Sequence, residues 1–336
     1  MAGHVVCFGE LLLRLSTPDA RPIAQSDGFT LSVGGAEANV AAALASLGHE
    51  VRFVSAVAEN ALGERALRAL RAAGVDTAHA IRAHGRMGLY FLETGAGVRA
   101  PAITYDRAGS AFACAQPGAI NFAAALQDAR LLHGGGITPA LGPAGVKLAC
   151  AAHQAARSRD VPICFDGNYR PQLWGAWDCD PAAILRELVA DATILIGNHR
   201  DIALLLGRDF DGAGPDRRRE AAEAAFAAFG RLQLIASTAR EIIGHDHHRL
   251  AARVDTRAEW HQTEPIAVTG IVDRIGTGDA FAAGVLDVWL AGGDPQRMAD
   301  TGLKLAVLKH SIPGDMTLVG RTLLDGFAPH AGDVRR

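Results

Sequence analysis

Lysine is almost missing from this sequence. Only Lys147, Lys304 and Lys309 occur among 33 basic residues, so arginine carries the positive charge. The 36 acidic residues leave a net charge of −3 and a pI near 6.5. That balance excludes a global attraction to nucleic acid or to an anionic membrane. Cysteine is scarce and scattered: Cys7, Cys114, Cys150, Cys164 and Cys179 form no C-x-x-C pair. An odd count excludes complete disulfide pairing within one chain, and reduced thiols in a cytoplasm are expected. No uninterrupted apolar run reaches about 18 residues, so no membrane span is expected. The start, VVCFGELLLRL, carries Glu10 and Arg14 and no basic stretch, and reads as a strand rather than a secretion signal. G-x-x-x-x-G-K-[ST] is absent, which excludes a Walker A enzyme. No early strand carries the glycine fingerprint of dinucleotide binding, which argues against a nicotinamide dehydrogenase.

What is present is ample material for a core. Hydrophobic residues make up 49% of the 336 and charged residues 21%. Strand-like runs recur at 4–10, 51–57, 129–135, 161–168, 192–198 and 232–238. Between many of them lie alanine-rich stretches of helical periodicity, at 36–48, 144–158, 181–190 and 218–230. Such alternation predicts an α/β fold, a mostly parallel sheet between helices. Two segments break it. FTLSVGG (29–35) and RMGLYFLETGAGVRAPAITYDRAGS (86–110) read as strands without helices of their own. They predict a small β-sheet lid, built from about 11–35 and 86–110, on a single domain spanning 1–336. An ordinary edge hairpin is the alternative.

Chemistry concentrates in DRIGTGDAFAAG (273–284). Gly276 and Gly278 remove the Cβ atoms that would hold a ligand away from the backbone. The apolar stretch 280–293 that follows has helical spacing, so Asp279 falls at a helix start. Free N–H groups and the positive end of the macrodipole meet there, which suits an anion. Asp279 is either a catalytic group or an N-cap, and this stretch alone does not separate the two.

DRIGTGDAFAAG resembles the second signature of the ribokinase-like, or PfkB, carbohydrate kinases. GGAEANVAAALASLG (34–48), FDGNYRPQLW (165–174), the Asn198 region and KHSIPGD (309–315) are similar to other stretches of that family. The likeness runs from residue 4 to about 320. Within the family, the combination with YDRAGS is most similar to kinases of 2-keto-3-deoxygluconate.

The resemblance implies a ribokinase-like fold, ATP and Mg²⁺ as cofactors, and a sugar acid as substrate. Phosphorylation would fall on the terminal hydroxyl of 2-keto-3-deoxygluconate. It implies Asp279 as general base, kept ionised by the helix end at some cost in basicity. The backbone N–H groups of Gly276, Thr277 and Gly278 would form an anion hole. Substrate contacts fall on Gly34, Gly35, Asn39, Tyr90, Tyr105, Arg107, Arg170, Asp279 and Asp315. Nucleotide contacts fall on Asn168, Arg170, Asn198, Thr238, Gly276 and Gly278, and no metal ligand is assigned. Arg107 and Arg170 suit a carboxylate, because a neutral sugar would leave them without a counter-ion. A homo-oligomer joined through the lid is also implied.

Three departures stand out. Arg274 and Thr277 replace the family's usual small or hydroxyl residues. STAREIIGHDHH (237–248) replaces its nucleotide turn, and HDHH there reads as an exposed loop rather than a metal site. Asp201 stands where the family carries glutamate, one methylene longer. Open alternatives are another PfkB sugar kinase, such as a fructokinase or a 2-keto-3-deoxygalactonate kinase, and a catalytically silent sugar sensor.

Overall fold

The computed structural model describes residues 3–244 and 246–328. Fourteen strands occur in chain order: β1 His4–Phe8, β2 Leu12–Ser16, β3 Thr30–Gly34, β4 Val51–Ala58, β5 Ala80–Ala83, β6 Gly88–Glu93, β7 Ala102–Asp106, β8 Ala129–Gly135, β9 Ile163–Asp166, β10 Ile194–Ile196, β11 Leu234–Gly244, β12 His247–Thr256, β13 Trp260–Gln262 and β14 Ile266–Thr269. Ten of them make one sheet in the order β13-β12-β11-β10-β9-β8-β1-β4-β5, with β14 also on β12. From β5 to β11 every pairing is parallel. β12 runs antiparallel to β11, and β13 and β14 antiparallel to β12.

Every strand expected in the main sheet is present, and every expected helix. The long apolar runs made them legible, since a parallel strand covered on both faces is apolar throughout. Four strands were not foreseen. β5 is short, and β12 alternates arginine and histidine with alanine and valine, which hides it. β11 also runs six residues beyond Thr238, so that residue sits within a strand rather than at its end. The exposed-loop expectation for HDHH needs correction. His245 lies outside the described residues, whereas His247 and His248 open β12 and His248 is buried.

The two helix-less segments form a separate four-stranded sheet in the order β3-β2-β6-β7. β2 and β6 pair in parallel at its centre, with antiparallel neighbours outside. An edge hairpin of the main sheet is thereby ruled out.

The helix Thr277–Leu290 packs between the helices Ala36–Ser46 and Pro295–Lys309. Gly284 makes one of these contacts possible: a Cβ there would lie 2.7 Å from the Cα of Gly302. Deeper along the same helix, Asp287 accepts from His49 at 2.7 Å and from both amino groups of Arg321 at 2.6 Å. The helix that carries Asp279 is therefore fixed along its length. Its N-terminus faces the carboxyl ends of the parallel strands, where open α/β sheets keep their sites.

Candidate active site

A cleft of about 1010 Å³ lies at those strand ends. The loops after β1, β9 and β10 contribute Glu10, Asn168, Arg170 and Asn198, and β11 contributes Thr238. The small sheet contributes Leu12, Tyr90, Ile103 and Tyr105, and Arg107 follows β7. One wall is the turn Arg274–Asp279.

The turn itself is fixed by Gly276. Its φ is +82°, and a Cβ there would strike the backbone oxygen of Asp315. Gly276, not Asp279, is the N-cap residue. Asp279 makes no capping bond to its own helix; its Oδ2 accepts from Asn39 Nδ2 at 2.7 Å. Among the described residues, the backbone N–H groups of Gly276, Gly278 and Asp279 have no hydrogen-bond acceptor. Thr277 N–H turns back to Arg274 O at 3.4 Å, so the open donors are not quite the three that the resemblance implied.

Burial pushes the Asp279 carboxyl up, and Asp315 adds to the rise. The bond from Asn39 and the charges of Arg170 and Lys309 oppose it, and the balance is about 6. Burial is the leading cause, and it makes Asp279 a better base than a free aspartate, where the resemblance implied some cost in basicity at the helix end. Asp279 remains mostly ionised at neutral pH.

The acids around it share that pressure. Glu37 is 2% exposed, and burial moves its carboxyl to about 7 even though its own backbone N–H opposes the rise. Asp166 is driven well above the usual range by burial, then by Asp279 and Glu37. Asp201 accepts from Asn198 N at 2.8 Å, while Asn198 Oδ1 accepts from Arg200 N at 2.8 Å. Both are occupied as the capping box of the helix His199–Leu206.

Residues that the resemblance assigns to the substrate converge as well. Tyr90 hydroxyl donates to Asp315, which also accepts from Arg14 Nη1 at 3.1 Å. Arg14 reaches Asp273 at 2.7 Å, so β2 of the small sheet is tied to the glycine turn. Gly34 and Gly35 lead into the helix that carries Glu37 and Asn39.

Arg107 differs from expectation. Its Nε and Nη2 hold Glu10 at 2.8 and 2.6 Å, in a pair that is nearly solvent-free. It has a counter-ion without any substrate, so the carboxylate argument cannot rest on it. Arg170 is exposed and has no carboxylate partner among the described residues. Glu10, Arg14, Asp166, Asp273 and Lys309 were not singled out from sequence. Only Asp166 gave a signal, its place at a strand's carboxyl end.

The model of the pfkB family carbohydrate kinases matches residues 2–318. The chain belongs to that family. This carbohydrate kinase is 30% identical over 319 residues to a 2-dehydro-3-deoxygalactonokinase of Haloferax volcanii, covering 95% of this chain and 94% of the relative. It is 28% identical over 315 residues to a 2-dehydro-3-deoxygluconokinase of Bacillus subtilis, covering 93% and 90%. Its fold superposes on the crystal structure of 2-dehydro-3-deoxygluconokinase from Thermotoga maritima with a TM-score of 0.91, at 34% identity, covering 96% and 98%. Among the described residues, no helix is long and apolar enough to cross a membrane.

Proposed function

We propose that this kinase transfers the γ-phosphoryl group of ATP to the terminal hydroxyl of 2-keto-3-deoxygluconate. The observation that carries the reading is Asp279: a carboxylate raised to about 6, uncommitted to capping, beside open backbone N–H donors in the main cleft. Asp279 accepts the hydroxyl proton as that oxygen attacks phosphorus and the bond to the ADP oxygen breaks. The N–H groups of Gly276, Gly278 and Asp279 hold the charge of the transferring group. A silent sensor would have no use for that combination.

Of the residues lining the cleft, Asn168 and Thr238 are assigned to the nucleotide, Tyr90, Tyr105, Asn39 and Asp315 to the sugar, and Arg170 to the boundary between them. The small sheet is proposed as the lid over the sugar. Arg170 is the cation with a free charge for the acid, and Arg107 supports the wall. Mg²⁺ held mostly by phosphate oxygens and water would neutralise the transferring charge, a mode that needs few protein ligands. Asp166, at the carboxyl end of β9, would meet that shell, because Asp201 is engaged in its cap.

The likeness to a 2-dehydro-3-deoxygalactonokinase supports a second reading, the C4-epimeric acid. Coupled measurement of ADP release over both epimers, fructose and ribose tests the proposal. The gluconate epimer is expected to give the highest kcat/KM; preference for the galactonate epimer establishes the second reading, and preference for fructose refutes both.

A further inference from the structure

Lys309 ends the helix Pro295–Lys309 and is 0% exposed, the one fully buried ammonium among the described residues. A buried charge is retained only with strong partners. Its Nζ donates to Ile312 O at 2.8 Å and weakly to Asp273 O at 3.4 Å. Among the described residues, no carboxylate pairs with it directly. Its Cε lies against Gly276, within 3.5 Å of where a Cβ would stand. The ammonium thus sits behind the glycine turn and bridges the two segments that shape it, 273–276 and 312–315.

We propose that Lys309 is a positioning residue, a built-in cation that locks the glycine turn and keeps Asp279 ionised. The proposal rests on Asp279 being the base. Around Asp279 stand Glu37 on the first helix, Asp166 on β9 and Asp315 in the closing loop. Against them stand Arg170 after β9 and Lys309. Around Lys309 stand Asp273, Asp315 and Asp279, with Arg14 from the small sheet and the neighbouring His310, which burial keeps neutral down to about 4. Arg14 is already divided between Asp273 and Asp315. Removing Lys309 therefore leaves three acids to Asp279 and one exposed arginine. Its two carbonyls lose their donor at the same time, which loosens the turn.

The test compares Lys309→Met and Lys309→Ala with the parent across pH 5.5–9, using ATP and the sugar acid the parent prefers. For Lys309→Met we expect kcat to fall by about 100-fold and the acid limb of kcat/KM to move alkaline by about one unit. The sugar KM should change less than threefold. Lys309→Ala should regain at least tenfold with ammonium or methylammonium chloride, but nothing with tetramethylammonium, which cannot donate. An unmoved acid limb, or a kcat within threefold of the parent, overturns the proposal. So does loss of fold in both variants by circular dichroism, which would make Lys309 a packing residue. A parent that turns over no sugar removes the proposed function and this inference together; a parent that turns over while Lys309→Met matches it removes only this inference.

Discussion

Asp279→Asn should abolish turnover and stabilise the protein, and the opposite signs are the point. The substitution keeps the side chain's shape, and its carbonyl oxygen can still accept from Asn39 Nδ2, now at 2.7 Å. It cannot accept a proton, and loss of a general base costs roughly 10²- to 10⁴-fold in rate. The stability change follows from the carboxyl's displacement from 3.8 to about 6, a rise of about two units. Each unit is about 1.4 kcal/mol, so holding the charge costs the fold at most about 3 kcal/mol at neutral pH. The cleft is open and screens part of this, so about 2 kcal/mol is the working figure.

The sign is that of a raised pKa. Any advantage of the protonated acid is fully present below about 3.8 and is lost as pH rises through about 6. Asparagine never acquires the charge, so its lead over the parent should open between those values and be complete above pH 7. A gain of about 3 °C in Tm at pH 7.5 is expected for a chain of this length. An N-cap would behave oppositely, losing about 1 kcal/mol on replacement by a non-capping residue and little or nothing with asparagine. The assays are ADP release at saturating substrates and thermal unfolding at pH 4 to 8. Retained kcat, or a variant whose Tm merely equals the parent's at every pH, refutes the reasoning.

Four further outcomes follow from the same geometry. Arg170→Ala should leave Tm within 1 °C and lower the preference for the acid over fructose by about tenfold; Arg107→Ala should lower stability by about 3 kcal/mol, because Glu10 keeps the Ser110 hydroxyl but is left buried without its counter-ion. The two are separated by thermal unfolding beside kcat/KM for both sugars. Gly276→Ala should lower kcat at least about 100-fold through the clash with Asp315 O at a φ of +82°, and a nearly active variant would show that the turn is not fixed. Glu37→Gln should stabilise the protein by a margin that opens between pH 4.5 and about 7, where the unfolded carboxyl ionises before the buried one, and is complete above pH 7; denaturant unfolding at pH 4 and 8.5 reads the difference.

The fold was legible where residue type and period agree. The buried parallel strands announced themselves as apolar runs, and FTLSVGG was recognisable as a strand because Phe29, Leu31 and Val33 alternate with Thr30 and Ser32 before the two glycines. The antiparallel edge was not legible, because β12 carries His248, Arg249 and Arg253 inside it. Two of these are buried by contacts that only the fold supplies: Arg253 pairs with Asp255 at 2.7 Å and lies over the Trp260 ring. A strand stabilised by its own ion pair looks like a loop in sequence.

The site divides along a similar line. Gly276, Gly278 and Asp279 were legible because their roles are properties of backbone conformation and of one carboxylate, both local to seven residues. Arg107 and Lys309 were not, because a cation's role is set by what it faces across the chain. Arg107 meets Glu10, 97 positions earlier, and so becomes part of the wall instead of a free receptor for the substrate's charge. Lys309 meets only carbonyls, so its charge is left to act on the acids around Gly276. The scarcity of lysine was visible from the outset. Its meaning at position 309 lies in shape as well as charge, for an ammonium is a compact donor that fits between two carbonyls where a guanidinium fork would not. An arginine-rich chain that keeps lysine at that position is using a property that arginine lacks.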